Sequence, residues 1–206
     1  MDAHPIPAHG TLPRLPDSKP VTRNPKHPGH QPRAGFTLIE LMITLAVAAI
    51  LATVAVPSMR PLLLNHRMAT LINVLAAHLN LGRSESILRN RQVVLCASSD
   101  GRRCALKAEW GKGWIMFVDK DYDKARDIDE RLLRVHAGLP AGLSLHYAGF
   151  GSNRYLTFRS TGMTGVNGTF TFCDDRGARA ARAIIISKTG RARLSRYKAG
   201  GNHLVC

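Results

Sequence analysis

Apolar and polar residues follow three successive regimes along this chain. From Phe36 to Val56 there are 21 residues, nearly all Leu, Ile, Val, Ala or Met, and only Glu40 is charged. A helix with apolar side chains round its whole circumference is not an amphipathic surface helix. At ~1.5 Å per residue it is about 30 Å long, the thickness of a bilayer's hydrocarbon core. The expectation is a membrane-spanning helix over 36–56. Glu40 conflicts with it, because a carboxylate at that depth costs a few kcal/mol and so needs a partner or a function. Over 57–90 the period becomes helical and one-sided. Leu64, Met68, Leu71, Leu75 and Leu79 share a stripe, while Arg67, Asn73, Asn80 and Arg83 point away. Pro57 and Pro61 each remove a backbone donor and predict a bend near them. The pattern therefore gives one long helix, Phe36 to Asn90, apolar all round in its first half and amphipathic in its second.

From residue 91 the pattern shortens to apolar runs broken by turn residues, the mark of strands. The expected strands are Gln92–Ala97, Trp114–Val118, Leu132–His136, Leu143–Tyr147, Tyr155–Phe158, Thr169–Cys173, Ala183–Ser187 and Arg191–Leu194. Asp100-Gly101, Ala148–Asn153 and Ser160–Gly168 read as turns. Residues 91–206 then form an antiparallel β-sheet domain against which the amphipathic half of the helix packs, an α+β arrangement. Residues 1–32, rich in proline and histidine and poor in large apolar side chains, are expected to be disordered.

Charge and cysteines sharpen this picture. The formal net charge is +15, a large excess for a chain of 206 residues, and it points to an acidic partner such as nucleic acid, anionic lipid or acidic protein. Arg14, Lys19, Arg23, Lys26 and Arg33 precede the apolar stretch. The positive-inside rule keeps that segment cytoplasmic and sends the C-terminal domain across the inner membrane, into a periplasm. The four cysteines suit that oxidising side. Cys96 and Cys104 flank the turn-rich Ser-Ser-Asp-Gly-Arg-Arg, and a bridge between them leaves Cys173 to Cys206. Four cysteines allow three pairings, and the sequence does not choose among them. A zinc site is the rival use, without a C-x-x-C or a closely spaced His pair to favour it.

Two segments carry candidate binding chemistry. Between Arg176 and Lys198 there are eight Lys or Arg and no acid. Strands joined through Thr189-Gly190 place Arg191 and Arg193 on one face, where they can grip consecutive phosphates of double-stranded DNA, with Arg196 and Lys198 nearby. Only Tyr197 offers an aromatic ring, so base stacking is not indicated and binding is expected to be salt-sensitive and indifferent to sequence. The alternative is a solvated basic edge hairpin that resists aggregation. Asp119, Asp121, Asp123, Asp127 and Glu130 occupy positions 1, 3, 5, 9 and 12 of a calcium loop. Lys124 stands where glycine is usual, and the flanks read as strands, which favours a charged surface loop. No G-x-S-x-G, Walker A or H-E-x-x-H occurs, Trp110 and Trp114 read as core residues, and neither an enzyme nor a cofactor is expected.

The stretch Gly35-Phe36-Thr-Leu-Ile-Glu40-Leu resembles the type IV prepilin cleavage and methylation signature. The resemblance implies that a prepilin peptidase removes 1–35 as a basic leader, that Phe36 becomes the N-methylated first residue, and that Glu40 neutralises the N-terminal amine of a neighbouring subunit. Either charge alone in lipid is costly, and the pair is tolerable. Further along, Asn80-Leu-Gly-Arg-Ser-Glu-Ser-Ile-Leu-Arg-Asn90, Val-Val-Leu-Cys96 with Cys104, Trp110-Gly-Lys-Gly-Trp-Ile-Met-Phe-Val-Asp119 and Lys188-Thr-Gly-Arg-Ala-Arg193 are similar to the GspH/FimT minor pseudopilins, with Gly82 in place of the usual alanine. That likeness implies a type IV pilin-like fold and a structural subunit of a type II secretion pseudopilus or a type IV pilus. It would assemble with other pilins through its N-terminal helix and cap or initiate the filament. In FimT-type proteins a Gly-Arg-x-Arg motif is associated with DNA uptake, and Gly190-Arg191-Ala192-Arg193 matches it.

Overall fold

The computed structural model describes residues 35–206; of the expected leader, 1–34 lie outside the described residues. One helix, α1 (Leu38–Arg89), is followed by β1 (Gln92–Ala97), β2 (Trp114–Asp119), β3 (Leu132–His136), β4 (Leu143–Gly149), β5 (Tyr155–Phe158), β6 (Gly168–Asp174), β7 (Arg182–Ile186) and β8 (Ala192–Ser195). The described residues fall into two units, one ending at Ala48 and the other spanning Ala49–Cys206.

In the first unit the described residues are the start of α1. Phe36, Leu38, Ile39, Leu41, Met42, Ile43, Leu45 and Val47 are all exposed. No face of this segment is covered, as its uninterrupted apolar pattern requires.

The second unit holds the remainder of α1 and all eight strands. The direction of α1 changes between Thr53 and Ser58, around Pro57. Pro61 lies three residues past this change of direction, inside Ser58–Arg89. No single helical segment among the described residues is long and apolar enough to cross a membrane; Leu38–Thr53 and Ser58–Arg89 pass that test together, as a bent pair.

The expected antiparallel β-sheet domain is built from two sheets. One has the order β3-β2-β1-β5 and the other β4-β6-β7-β8, and every pairing is antiparallel. Local alternation marks where strands lie but not which edge each one joins, and β5 returns to pair with β1 rather than with β4. Met68, Leu71, Ile72, Leu75 and Leu79 from α1 meet the inner faces of both sheets, including Leu95, Met116, Phe158, Phe170, Phe172, Ile184 and Ile186. Each large side chain buried this way contributes roughly 1.5–3 kcal/mol. Gly82 has a structural cause: a Cβ there would lie 2.9 Å from Met116 Sδ and 3.1 Å from the Phe158 ring. Glycine lets α1 sit closer to β2 and β5 than alanine would, at about 1 kcal/mol of helix propensity.

The outer face of the first sheet is also dry. Val94, Cys96, Ile115 and Phe117 form a second small core beneath Cys104, Leu132 and Tyr155. Cys96 is bonded to Cys104 and Cys173 to Cys206, so of the three possible pairings this is the one present, and no thiol remains for zinc. β2, β4 and β6 run one or two residues longer than expected, and β7 and β8 are each shifted by one. β7 spans Arg182–Ile186 and β8 spans Ala192–Ser195, which leaves Ser187 and Arg191 to the turn between them.

Candidate functional site

Glu40 lies in the first turn of α1. Its backbone N–H donates to Thr37 Oγ1 at 3.3 Å, so Thr37 caps the helix and Glu40 stands three residues inside. A hydroxyl acceptor here and a carboxylate near the positive end of the helix dipole both stabilise this terminus. The Thr-x-x-Glu spacing was a signal for this cap, and it gives Glu40 a local role beside any intermolecular one.

The β7–β8 hairpin is built for a tight tip. Ser187 N–H donates to Arg191 O at 3.0 Å, and Gly190 N–H donates to Ser187 O at 2.9 Å. Lys188, Thr189 and Gly190 form the three-residue loop, with Gly190 in the left-handed region at φ +77. A Cβ at Gly190 would overlap Gly162 O, so both backbone conformation and contact require glycine. Beyond the tip, alternation sets the faces. Ala192 packs on the core, while Arg193, opposite Ile185, looks outward. Arg191 and Arg193 are exposed and line one shallow depression of about 380 Å³ with Ile185, Ser187 and Thr189. Among the described residues neither arginine has a carboxylate partner. β8 is the edge of its sheet, so this face is open. Arg196 and Lys198 are not brought into the depression. They belong to a separate tight turn in which Lys198 N–H donates to Asn202 O at 2.8 Å, beside the bridge between Tyr197 and His203.

The expected turn over Ser160–Gly168 braces this tip, a docking the sequence does not show. Thr164 N–H and Gly165 N–H both donate to Lys188 O, at 3.1 and 3.2 Å, and Thr164 Oγ1 reaches Ser187 O at 3.0 Å. Lys188 N–H in turn donates to Asn167 Oδ1 at 2.9 Å. The three glycines and two threonines between Ser160 and Gly168 marked a turn, but nothing in them showed where it would dock.

The acidic loop gathers only part of its candidate ligands. Carboxylate oxygens of Asp119, Asp121 and Asp123 lie within 4.8 Å of one another, whereas Asp127 and Glu130 are not in that group. Asp119 is fully buried, and its oxygens accept from Gln92 Nε2 at 2.7 Å and from the amides of Tyr122 and Lys124. Glu130 accepts from the amides of Lys120 and Asp127, and burial pushes its carboxyl above the usual range. Lys124 does adopt the left-handed φ of +65 that a glycine would hold in a calcium loop. Three of the five candidate carboxylates therefore come together, and Asp119 and Glu130 also accept from backbone amides of the loop.

Residues 71–190, more than half of the chain, match the family described as Type II transport protein GspH, and residues 31–56 match the prokaryotic N-terminal methylation motif. This chain belongs to the GspH family. The GspH-family match ends at Gly190, so Arg191 and Arg193 lie just beyond it, while the acidic loop lies inside. The fold is the α+β, type IV pilin-like one, and the family's members are structural subunits rather than enzymes. Pilin-like protein PilA1 of Thermus thermophilus is 30% identical over 166 residues, 79% of this chain and 98% of that protein. The type IV minor pilin FimU of Pseudomonas aeruginosa superposes with a TM-score of 0.51 at 26% identity, over 64% of this chain and 90% of FimU.

Proposed function

We propose that this chain works as a minor pilin or pseudopilin: processed between Gly35 and Phe36, methylated on Phe36, held in the inner membrane by 36–56, and assembled through that segment with other pilins. The domain over 91–206, with the helix over 57–90, stands on the periplasmic side. The observation that carries the reading is the start of α1, where large apolar side chains are open on every side and Glu40 is the one charge among them. Such a surface is stable only in lipid or against other apolar helices, and the carboxylate gives it a register partner in a neighbour's N-terminal amine. Co-expression of the full chain with a prepilin peptidase and companion subunits tests this. Mass spectrometry should find a chain that begins at N-methylated Phe36. Glu40→Ala should be processed and stay in the membrane fraction but fall about tenfold or more in sheared filaments. An uncleaved chain refutes the processing, and entry of the Glu40→Ala variant into filaments at the wild-type level refutes the role of Glu40.

A second reading, DNA binding during uptake, is favoured by the open arginine pair on the outer face of β8. Two guanidiniums without carboxylate partners on one strand face suit consecutive phosphates. The full chain, purified in detergent with disulfides formed, is titrated with labelled double-stranded DNA across a salt series. Arg191→Gln/Arg193→Gln should weaken binding about tenfold and lower the log–log salt slope by about 1.8, two phosphate contacts' worth. Undiminished binding by the folded variant, or none by the wild type at low salt, leaves the scaffold role alone.

A further inference from the structure

We infer that the DNA-contacting surface does not end at the hairpin but continues across its tip, through Lys188, onto Arg159 of the β5–β6 loop and Arg83 of α1. The inference rests on the DNA reading of the hairpin and extends it to residues that are remote in sequence. Three segments meet here. The β5–β6 loop is joined to the tip by the hydrogen bonds of Thr164, Gly165 and Asn167 with Ser187 and Lys188. The same loop lies on the end of α1, because the Cβ position of Gly162 is 2.7 Å from Ile87 Cδ1 and 3.3 Å from Arg83 Cγ. Arg83 Cδ is also 3.5 Å from the Cβ position of Gly190 itself. The Arg159 guanidinium is folded against Gly165, 3.1 Å from where a Cβ would be. Arg83, half-buried, and Arg159, exposed, thus both lie beside the tip.

Charge completes the argument. Neither Arg83 nor Arg159 forms an ion pair among the described residues. The loop 159–167 and the hairpin 182–198 contain no acid, and Glu85, the one carboxylate in this part of α1, is taken by Arg89. Cations held close together with no local anion raise the potential over the site and select a partner with regularly spaced negative charge. Duplex DNA carries a phosphate about every 3.4 Å of helix axis along each strand, a regular array of negative charge for such a patch.

The test uses the same full chain in detergent and the same labelled duplex, read as affinity against salt. Arg83→Gln/Arg159→Gln, with the hairpin intact, should weaken binding several-fold and lower the salt slope by about 1.8. Arg83→Lys/Arg159→Lys should keep the slope, because charge position is what counts. Arg60→Gln/Arg179→Gln removes the same charge from α1 about 35 Å away along the helix and from the β6–β7 connection, and should leave the slope unchanged. Should the double variant melt early, Arg159→Gln alone should give about half the effect. A wild-type slope in Arg83→Gln/Arg159→Gln while Arg191→Gln/Arg193→Gln loses binding overturns the extension and leaves the hairpin reading standing. An equal loss in the Arg60/Arg179 control overturns it as a general charge effect. Absence of wild-type binding removes both.

Discussion

His78 is held in one protonation state by the residue it touches. Trp114 is fully buried on β2, and its Nε1–H donates to His78 Nδ1 at 3.0 Å, so that nitrogen must be unprotonated. His136 stacks on the face of the same indole, with ring centroids 3.8 Å apart. Burial, then the neighbouring His136 and Arg134, hold the His78 pKa below 6.5. A histidine with a depressed folded pKa favours the fold above its unfolded value and loses that contribution as pH falls. Stability should therefore decline from about pH 6.5 downward until the folded pKa is reached, and then level off. His78→Gln keeps an acceptor for Trp114 and cannot titrate. Thermal melts at pH 7.5 and 5.5 should show the wild type losing roughly 2–4 °C more than this variant, the equivalent of about one hydrogen bond in a domain of this size. Equal losses in both would show that another group carries the acid sensitivity. The sequence revealed the tryptophan as core but not its partner, since His78 and Trp114 belong to different elements and no spacing rule joins them.

The elements themselves were largely legible because their causes are local. β1, β3 and β5 have the expected ends, and α1 stops one residue before the expected Asn90. The apolar stripe over 64–79 faces the core because helical period alone puts those residues on one side. What local pattern does not contain is the division into two sheets. Strand pairing is a long-range choice, and β1 is buried on both faces, so it shows no alternation from which a partner could be read. The hairpin shows a different limit. In Gly-Arg-x-Arg the glycine reads as part of a binding motif, yet Gly190 is required by its φ and by Gly162 O. The arginines are under no such constraint, since both side chains are exposed and fill no place in the core. The motif is therefore a turn requirement followed by a free choice of charge, and only the second half is informative about a ligand. In the acidic loop the spacing of five carboxylates matched a metal site, but spacing cannot show that only Asp119, Asp121 and Asp123 come together.

The two disulfides act on the molecule as a whole, and differently. Cys173 lies on β6, and its bond to Cys206 returns the chain's end to the second sheet, where Leu204 joins Ala181 and Ala183 in a small separate core. That bridge closes a separation of 33 residues, while Cys96–Cys104 closes 8. In the chain-entropy account the longer loop is worth about 4 kcal/mol and the shorter about 2.5 kcal/mol. Against a total stability of roughly 5–15 kcal/mol, either is a large share. Cys104 is only half-buried and Cys206 is exposed, whereas Cys96 and Cys173 are buried. Replacing the outer member of each pair removes the bridge and keeps the inner sulfur packed where it is. Cys206→Ala should lower the denaturant-unfolding free energy by about 3–4 kcal/mol and Cys104→Ala by about 2–3 kcal/mol. The order is the decisive reading. A larger loss from Cys104→Ala would mean that the small core under the Ser98–Cys104 loop, and not loop closure, governs the contribution of the bridges. The expected order would place the anchoring of the C-terminus among the main supports of the second sheet, and with it the edge on which the arginine hairpin is carried.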